Sequence, residues 1–226
     1  MPDFPYGFVM IAFDEKLRTD LATNLAAHER RALPLEGRRH GAVAVVLVDA
    51  APGSGDGQTL GVADGAAFLL CLRAEQMNRH AGQYALPGGR IDPGETPLET
   101  ALRELEEELG IRLTADSVVG WLDDYPTRSG YVITPAVLWG DARPQLKPAR
   151  DEVQAVYRVA LKTLADAEPR FVPIPQSDRP VLQLPIGGDL IHAPTAAILF
   201  QLRQVGLLGR IGERVEGIEE PPFAWH

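Results

Sequence analysis

The sequence predicts an α/β protein, because Val-rich runs typical of buried strands occur together with segments of helical periodicity. Residues 41–49, which read GAVAVVLVD, and residues 67–73 are predicted strands, and residues 14–33 are predicted to form an N-terminal helix. With 226 residues, of which 45% are hydrophobic, the chain is long enough to bury a full core. We therefore expect residues 1–226 to form one domain.

A second helix is predicted over residues 97–109 by its start and stop signals. Thr96 suits the N-cap with Glu99 as its capping-box partner, Pro97 suits the first turn, and Gly110 is expected to end the helix. Apolar side chains recur on one face, which should pack against a core. These are Leu98, Ala101, Leu102, Leu105 and Leu109.

Other strands are predicted on both sides of this helix. Residues 8–13 are a predicted short strand, and residues 118–123 and 131–139 are predicted strands joined by a turn. The Gly-rich segment 51–65 is predicted to be a loop. It lacks the lysine and the strand-to-helix context of a phosphate-binding loop, so an insertion is the favoured interpretation.

The C-terminal region, about residues 160–226, combines a proline-rich segment with a helix. The prolines predict an irregular path for residues 168–185. Residues 194–204 are predicted to form a helix that packs through apolar side chains.

Composition excludes several classes of function. A net charge of −9 and a sequence pI near 5.1 disfavour generic binding to nucleic acid or to membrane surfaces. The single cysteine, Cys71, excludes an internal disulfide and suits a reducing compartment. Because no targeting segment is visible either, we expect a cytoplasmic protein.

An acidic face on the predicted helix of residues 97–109 is the main functional signal. Glu104, Glu107 and Glu108 are neighbours at i, i+3 and i, i+4 separations, and each like-charge pair opposes the helix by roughly 0.2–0.5 kcal/mol. Hard cations such as Mg²⁺ or Mn²⁺ prefer carboxylate ligands of this kind. A solvated acidic face is the alternative, but the fixed spacing and the accompanying Glu95 and Arg103 favour a metal site.

Residues 89–111, GRIDPGETPLETALRELEEELGI, resemble the Nudix box, whose pattern is G-x5-E-x7-R-E-U-x-E-E-x-G-U with U aliphatic. Every specified position matches. The resemblance implies a Nudix-type α/β/α sandwich with a mixed β-sheet. It also implies Mg²⁺- or Mn²⁺-dependent hydrolysis of a nucleoside diphosphate linked to another moiety, X.

The same resemblance assigns roles to the residues of the box. Glu104 and Glu108 correspond to metal ligands, Glu107 to a further ligand or water contact, and all three to the catalytic group. The general base is either Glu104 or a carboxylate on a later loop, for which Glu152 is the candidate. A solvated loop acid is the alternative interpretation of Glu152. The positions with structural roles are Glu95 and Arg103 as an ion pair, and Gly89 and Gly110 as turn residues.

The preceding segment, residues 69–89, resembles the coenzyme A diphosphatase branch of the family, whose signature is approximately LLTxR(S/A)x3Rx3Gx3FPGG. Three positions depart from it. Cys71 replaces threonine, Leu86 replaces phenylalanine, and Asn78 stands at the second arginine position with Arg79 one residue later. This resemblance implies coenzyme A or an acyl derivative as substrate, with 4'-phosphopantetheine and adenosine 3',5'-bisphosphate as products.

Basic and polar residues near the box suit a polyanionic small-molecule substrate. An isolated arginine is more often a solubilising surface residue, but clustering beside the acidic helix favours phosphate contacts for Arg73 and Arg79. His80 is predicted either to contact phosphate or to shape the turn before Gly82. The full set of predicted substrate contacts is Arg73, Arg79, His80, Gln83 and Arg128.

Two other functions remain open from the sequence. The same scaffold suits ADP-ribose, a dinucleotide or a nucleotide sugar. A non-catalytic nucleotide sensor is a different class, but such proteins commonly lose box glutamates, and this chain keeps them. Family resemblance also raises a homodimer as an assembly to test.

Overall fold

The computed structural model describes residues 10–51, 58–60, 64–75 and 82–225. The helices are Glu15–Ala27 (α1), Pro97–Leu109 (α2), Leu161–Asp166 (α3) and Thr195–Gln201 (α4). The first six strands are Arg39–Asp49 (β1), Gln58–Leu60 (β2), Ala66–Arg73 (β3), Tyr84–Ala85 (β4), Gly88–Arg90 (β5) and Val118–Trp121 (β6). The others are Tyr125–Pro126 (β7), Tyr131–Trp139 (β8), Val153–Ala160 (β9), Arg170–Ile174 (β10), Ser177–Ile186 (β11) and Asp189–His192 (β12).

The main sheet is mixed. Its strands follow the order β2-β9-β3-β1-β8-β6, while the short strands β4, β5 and β7 pair with β3, β1 and β8. The β1–β8 and β2–β9 pairs are parallel, and the other pairs are antiparallel. Strands β10, β11 and β12 form a separate antiparallel sheet.

The central strand β1 shows how the layers form. Successive side chains of a strand point to opposite faces, so its buried Val and Ala residues supply two cores. Val45 and Leu47 pack in the core that contains residues of α1, α3 and α4, whereas Ala44 and Val46 pack in the core that contains the apolar face of α2. Helices therefore cover both faces of the mixed sheet, and the predicted α/β/α sandwich is confirmed.

The N-terminal helix α1 ends at Ala27, earlier than the predicted boundary near residue 33. Backbone donors beyond it bind carboxylates instead of helical carbonyls. Arg31 N donates to Asp123 Oδ1 at 2.8 Å, and Leu33 N donates to Asp124 Oδ2 at 2.9 Å. Tertiary contacts thus override the local helical pattern.

Two segments predicted to be irregular contain strands. The Gly-rich segment includes β2, which pairs with β9. The proline-rich segment 168–185 forms β10 and most of β11, so the prediction of an irregular path is wrong. Pro173 lies at a register shift in the β10–β11 pairing, where a missing N–H is tolerated.

The remaining predictions agree with the structure in most respects. The C-terminal helix is present as α4 and continues as a π-helical turn over Leu202–Leu207. Of the predicted strand 8–13, residues 8 and 9 lie outside the described residues, and residues 10–13 carry no strand assignment. Among the described helices, none has the length and apolar character needed to cross a membrane.

Candidate active site

Gly88 and Gly89, here called the glycine turn, precede α2 and are held against the central sheet. Strand β5 pairs with β1, with Gly88 opposite Val43 and Gly89 opposite Ala42. A Cβ on Gly88 would lie 2.3 Å from the carbonyl oxygen of Ala42, and the φ of Gly88 is +156°. Only glycine therefore allows the turn to approach β1 this closely.

Both ends of α2 form as the sequence predicts. Thr96 Oγ1 accepts a hydrogen bond from Glu99 N at 3.3 Å, and Thr96 N donates to Glu99 Oε2 at 2.7 Å. These bonds complete the capping box. Gly110 ends the helix in the left-handed region, with a φ of 69°.

Two carboxylates of α2 lie against the glycine turn. A Cβ on Gly89 would be 2.2 Å from Glu104 Oε1, so the Glu104 carboxyl fills the space that a side chain would occupy. The backbone N–H of Gly88 donates to Glu108 Oε2 at 3.3 Å. The turn therefore fixes where the oxygens of Glu104 and Glu108 stand.

Arg103 joins three carboxylates of the box. Its Nε donates to Glu95 Oε1 at 2.8 Å and one terminal nitrogen donates to Glu95 Oε2 at 3.1 Å, which makes the predicted pair bidentate. The other terminal nitrogen donates to Glu104 Oε1 at 2.8 Å and to Glu107 Oε2 at 3.0 Å. The Arg103 hydrogen bond is the main reason that the pKa of Glu95 falls to about 2.

Burial changes the acidity of the two inner carboxyls. Desolvation raises the pKa of Glu108 to about 8, and the charges of Glu104 and Glu152 add to the shift. Desolvation also raises the pKa of Glu104, although Arg103 opposes the shift. The charge of Glu152 acts on both groups, and its role as the general base stays a prediction.

The donor set fits a hard divalent cation only in part. Within the described ranges, no group of three or more His, Cys, Asp or Glu side chains converges tightly enough to hold an ion. Glu107 points outward onto Arg103, with 59% of its side chain exposed. The oxygens of Glu104 and Glu108 do meet at the glycine turn and are the hard ligands that Mg²⁺ and Mn²⁺ prefer. Arg103 bonds only to Oε1 of Glu104, so the other oxygen of this carboxylate could bind an ion.

A pocket of about 530 Å³ opens beside the glycine turn. Arg73, Gln83, Gly89 and Arg90 line it, so two of the predicted substrate contacts lie next to the box. The Nε of Arg73 is buried and has no hydrogen-bond partner among the described residues. A buried donor of this kind is costly unless a ligand satisfies it.

The other predicted contacts are placed differently. Arg79 and His80 lie outside the described residues. Arg128 is engaged elsewhere, because its guanidinium pairs with Glu219 and stacks on Trp225 at 5.1 Å. A phosphate contact by Arg128 stays a prediction.

Sequence reasoning missed one side of the pocket. Segments 189–195 and 220–224, here called the C-terminal wall, supply residues that face the cavity. Tyr84 binds this wall, since its hydroxyl donates to Asp189 Oδ2 at 2.6 Å. No local motif marks these positions, and the only available signal was the clustering of acidic and aromatic residues in the sequence EEPPFAW.

Comparison with known proteins identifies the family. The NUDIX domain model matches residues 39–183, which is more than half of the chain, so the chain belongs to the Nudix family. A Nudix hydrolase from Yersinia enterocolitica, named NudL and described as uncharacterized, is 47% identical over 71 residues, covering 31% of this chain and 36% of the relative. A NudL from Escherichia coli is 41% identical over 97 residues, covering 42% of this chain and 50% of the relative. The match thus spans half or less of the length of these curated relatives.

Solved structures also resemble the chain. A Nudix hydrolase from M. smegmatis, RenU, has a TM-score of 0.44 at 22% identity, covering 74% of this chain and 85% of the other. A MutT protein from Methanosarcina mazei has a TM-score of 0.42 at 21% identity, covering 62% and 85%.

Proposed function

We propose that this chain hydrolyses a nucleoside diphosphate linked to another moiety in a reaction that depends on Mg²⁺ or Mn²⁺. The observation that carries the proposal is the pair of largely buried carboxylates, Glu104 and Glu108, fixed against the Gly88–Gly89 turn. The adjoining pocket brings the unsatisfied Nε of Arg73 to the same place. Carboxylate ligands beside an arginine guanidinium suit a metal-bound diphosphate.

Each residue of the site then has a defined task. Glu104 and Glu108 would hold the ion, with Glu107 as a further ligand or a contact to water. A bound divalent ion polarises a diphosphate and lowers the pKa of water. Arg73 would donate to phosphate oxygens, and a carboxylate, either Glu104 or Glu152, would accept the proton of the attacking water.

Coenzyme A or an acyl derivative is the substrate that we propose within this class. The support is the resemblance of residues 69–89 to the signature of that branch. Parts of this segment form the end of β3, β4 and the start of β5, and residues of all three strands line the pocket. Of the three departures, Cys71 is buried in the core and Leu86 lines the pocket. Hydrolysis would release 4'-phosphopantetheine and adenosine 3',5'-bisphosphate. ADP-ribose, dinucleotides and nucleotide sugars are the alternative substrates.

The setting of the enzyme is also a proposal. We propose that residues 1–226 act as one domain on a small-molecule substrate in the cytoplasm, without nucleic acid or membrane as partner. A homodimer is the assembly to test by light scattering.

Mass spectrometry of the products tests the function. Purified protein is incubated with coenzyme A, ADP-ribose, a diadenosine polyphosphate and a nucleotide sugar, each with Mg²⁺, with Mn²⁺ and with a chelator. Coenzyme A should give the two products named above, and only when metal is present. Cleavage of none of these compounds would favour a binding-only sensor.

Single amide substitutions test the assigned carboxylates. Glu104→Gln and Glu108→Gln preserve side-chain shape and should each lower kcat by two or more orders of magnitude while leaving the circular dichroism spectrum unchanged. Glu106→Gln is the matched control, because Glu106 lies on the same helix but pairs with Arg112, beyond the end of that helix. Full activity in both test variants would contradict the site.

A further inference from the structure

The C-terminal wall is a built part of the pocket. Glu219, just before its second segment, is 1% exposed and pairs with both Arg128 and Arg179. Ser177 Oγ also donates to Glu219 Oε2 at 2.7 Å, and Glu219 N donates to Pro180 O at 2.8 Å. These bonds hold the second segment of the wall against β11.

This wall lies beyond the part of the chain that matches the family model. That match ends at residue 183, whereas both segments of the wall follow it. The wall therefore lies outside the matched domain. Its chemistry bears on which substrates enter.

Charge divides the pocket into two parts. Among its described lining residues, the arginines are Arg73 and Arg90, and both belong to the side that adjoins the box. The C-terminal wall contributes the acids Asp189 and Glu220. Its histidine, His192, adds little positive charge, because burial lowers its pKa. A phosphate group is thus favoured beside the box and disfavoured beside the wall.

Glu220 is the central acid of the wall. It is 2% exposed, and its Oε1 accepts a hydrogen bond from the backbone N of Arg128 at 3.3 Å. A carboxyl group has acceptor capacity for several hydrogen bonds, so Glu220 can receive a further donor from a ligand. Burial raises its pKa to about 7, which leaves part of its negative charge in place at neutral pH.

Aromatic and aliphatic groups form the rest of the wall. The ring of Phe223 meets that of His192 edge-on at 5.3 Å, yet Phe223 is 62% exposed at the pocket border. Leu190 is also 40% exposed there. Exposed apolar side chains at the border of a cavity are typical of a ligand-binding site.

We propose that the C-terminal wall binds the uncharged moiety X of the substrate, an arm with apolar surface and amide or amine donors, and selects against an X that carries phosphate or carboxylate. Glu220 accepts a hydrogen bond from the arm and repels anions, and Phe223 packs on its apolar part. The proposal rests on the proposed function in that X is one half of a cleaved diphosphate. It adds the orientation of the substrate in the pocket. If X lies against the wall, a nucleoside half that carries phosphate must lie away from the wall, on the side of the box.

A matched pair of substrates tests this selectivity. Two diphosphates share the same adenosine half and differ in X, which is an uncharged amide-containing arm in one and an arm of similar length ending in a phosphate in the other. For the full-length protein, kcat/KM should be at least tenfold higher for the uncharged arm. A preference for the anionic arm would overturn the proposal.

Two variants assign the selectivity to the wall. Glu220→Gln removes the charge and should raise kcat/KM for the anionic arm about tenfold. Phe223→Ala should raise KM for the uncharged arm about tenfold and leave kcat within a factor of three. Phe171→Ala is the matched control, because Phe171 is a similarly exposed phenylalanine, at 48%, that does not line the pocket. Equal effects of the two phenylalanine variants, or no effect of Glu220→Gln, would refute the assignment.

A binding experiment separates this proposal from the proposed function. If neither diphosphate is cleaved, the hydrolase proposal fails, and calorimetry then measures the affinity of the uncharged-arm diphosphate for the protein. Affinity that falls about tenfold in Phe223→Ala, but not in Phe171→Ala, would still support the wall as a binding surface. Equal affinity in all three proteins would overturn it independently of catalysis.

Discussion

Replacing Gly89 with alanine should move the carboxylate of Glu104, which we propose to be catalytic, without unfolding the protein. An alanine Cβ would lie 2.2 Å from Glu104 Oε1, and ordinary contact begins near 3.4 Å. The Glu104 carboxyl must therefore retreat by about 1.2 Å. This shift is possible because the carboxyl is the end of a flexible side chain, and Gly89 is not among the positive-φ glycines, so its backbone accepts alanine.

The magnitude of the effect follows from that displacement. Misplacing a catalytic group by about 1 Å costs on the order of 100-fold in rate, which corresponds to about 2.7 kcal/mol of barrier. The free energy of unfolding should change by less than about 1 kcal/mol, because the displaced atoms are not part of the apolar core. Activity and stability should thus separate in this variant.

Product formation at saturating metal measures kcat. Urea unfolding measures the free energy of unfolding. Gly217→Ala serves as the control, since a Cβ there would meet nothing within 4 Å. It should match the parent protein in both assays. Wild-type kcat in Gly89→Ala, or a loss of stability as large as the loss of catalytic free energy, would refute the placement of Glu104.

Three further variants probe the remaining parts of the site. The pKa of Glu220 is raised to about 7 from 4.5, so the folded state keeps a proton that the unfolded chain releases. The resulting stabilisation is complete below pH 4.5 and is lost as pH rises through about 7. Urea unfolding at pH 5 and pH 8 should show a smaller loss in Glu220→Gln than in the parent; the remaining loss comes from Glu108, whose pKa is also raised. Thr96→Ala removes the N-cap acceptor and should lower the free energy of unfolding by about 1 kcal/mol, which corresponds to a drop of about 2–4 °C in Tm. Activity at 25 °C should be unchanged. A loss of kcat would show that the cap also positions the carboxylates. Arg103→Lys replaces a bidentate fork on Glu95 by a single ammonium and should lower kcat about tenfold, and unaltered kinetics would show that the fork does not position Glu104.

Local signals predicted the box well because its structure depends on nearby residues. The cap of Thr96 and the stop at Gly110 are set by backbone groups within one turn, and both are present in α2. The apolar face of α2 was also predictable, since helical period alone brings Ala101 and Leu105 to one side. The same period placed the acids on the other faces.

The C-terminal wall was not predictable because distant residues assemble it. Tyr84 and Asp189 meet across 105 positions of sequence, and Arg128 meets Glu220 across 92. No spacing rule relates such pairs. Proline content was misleading for a similar reason. A proline shows that one backbone N–H donor is missing, but it does not show whether pairing with a partner strand tolerates that missing donor.

Burial separates the two interpretations of the acidic face. A solvated face would leave all its carboxylates in water, yet Glu108 is 5% exposed and the side chain of Glu104 is 15% exposed, against 59% for Glu107. Burying a carboxyl is unfavourable unless a cation or donors compensate, and Arg103 compensates Glu104 on only one side. Glu108 accepts one backbone hydrogen bond, from Gly88 N, and lies near the charges of Glu104 and Glu152. Such an arrangement does not favour stability and is common at functional sites, which supports the proposed metal site over the solvated face. The order of burial also ranks the expected losses of activity, with substitutions at Glu108 and Glu104 more damaging than one at Glu107.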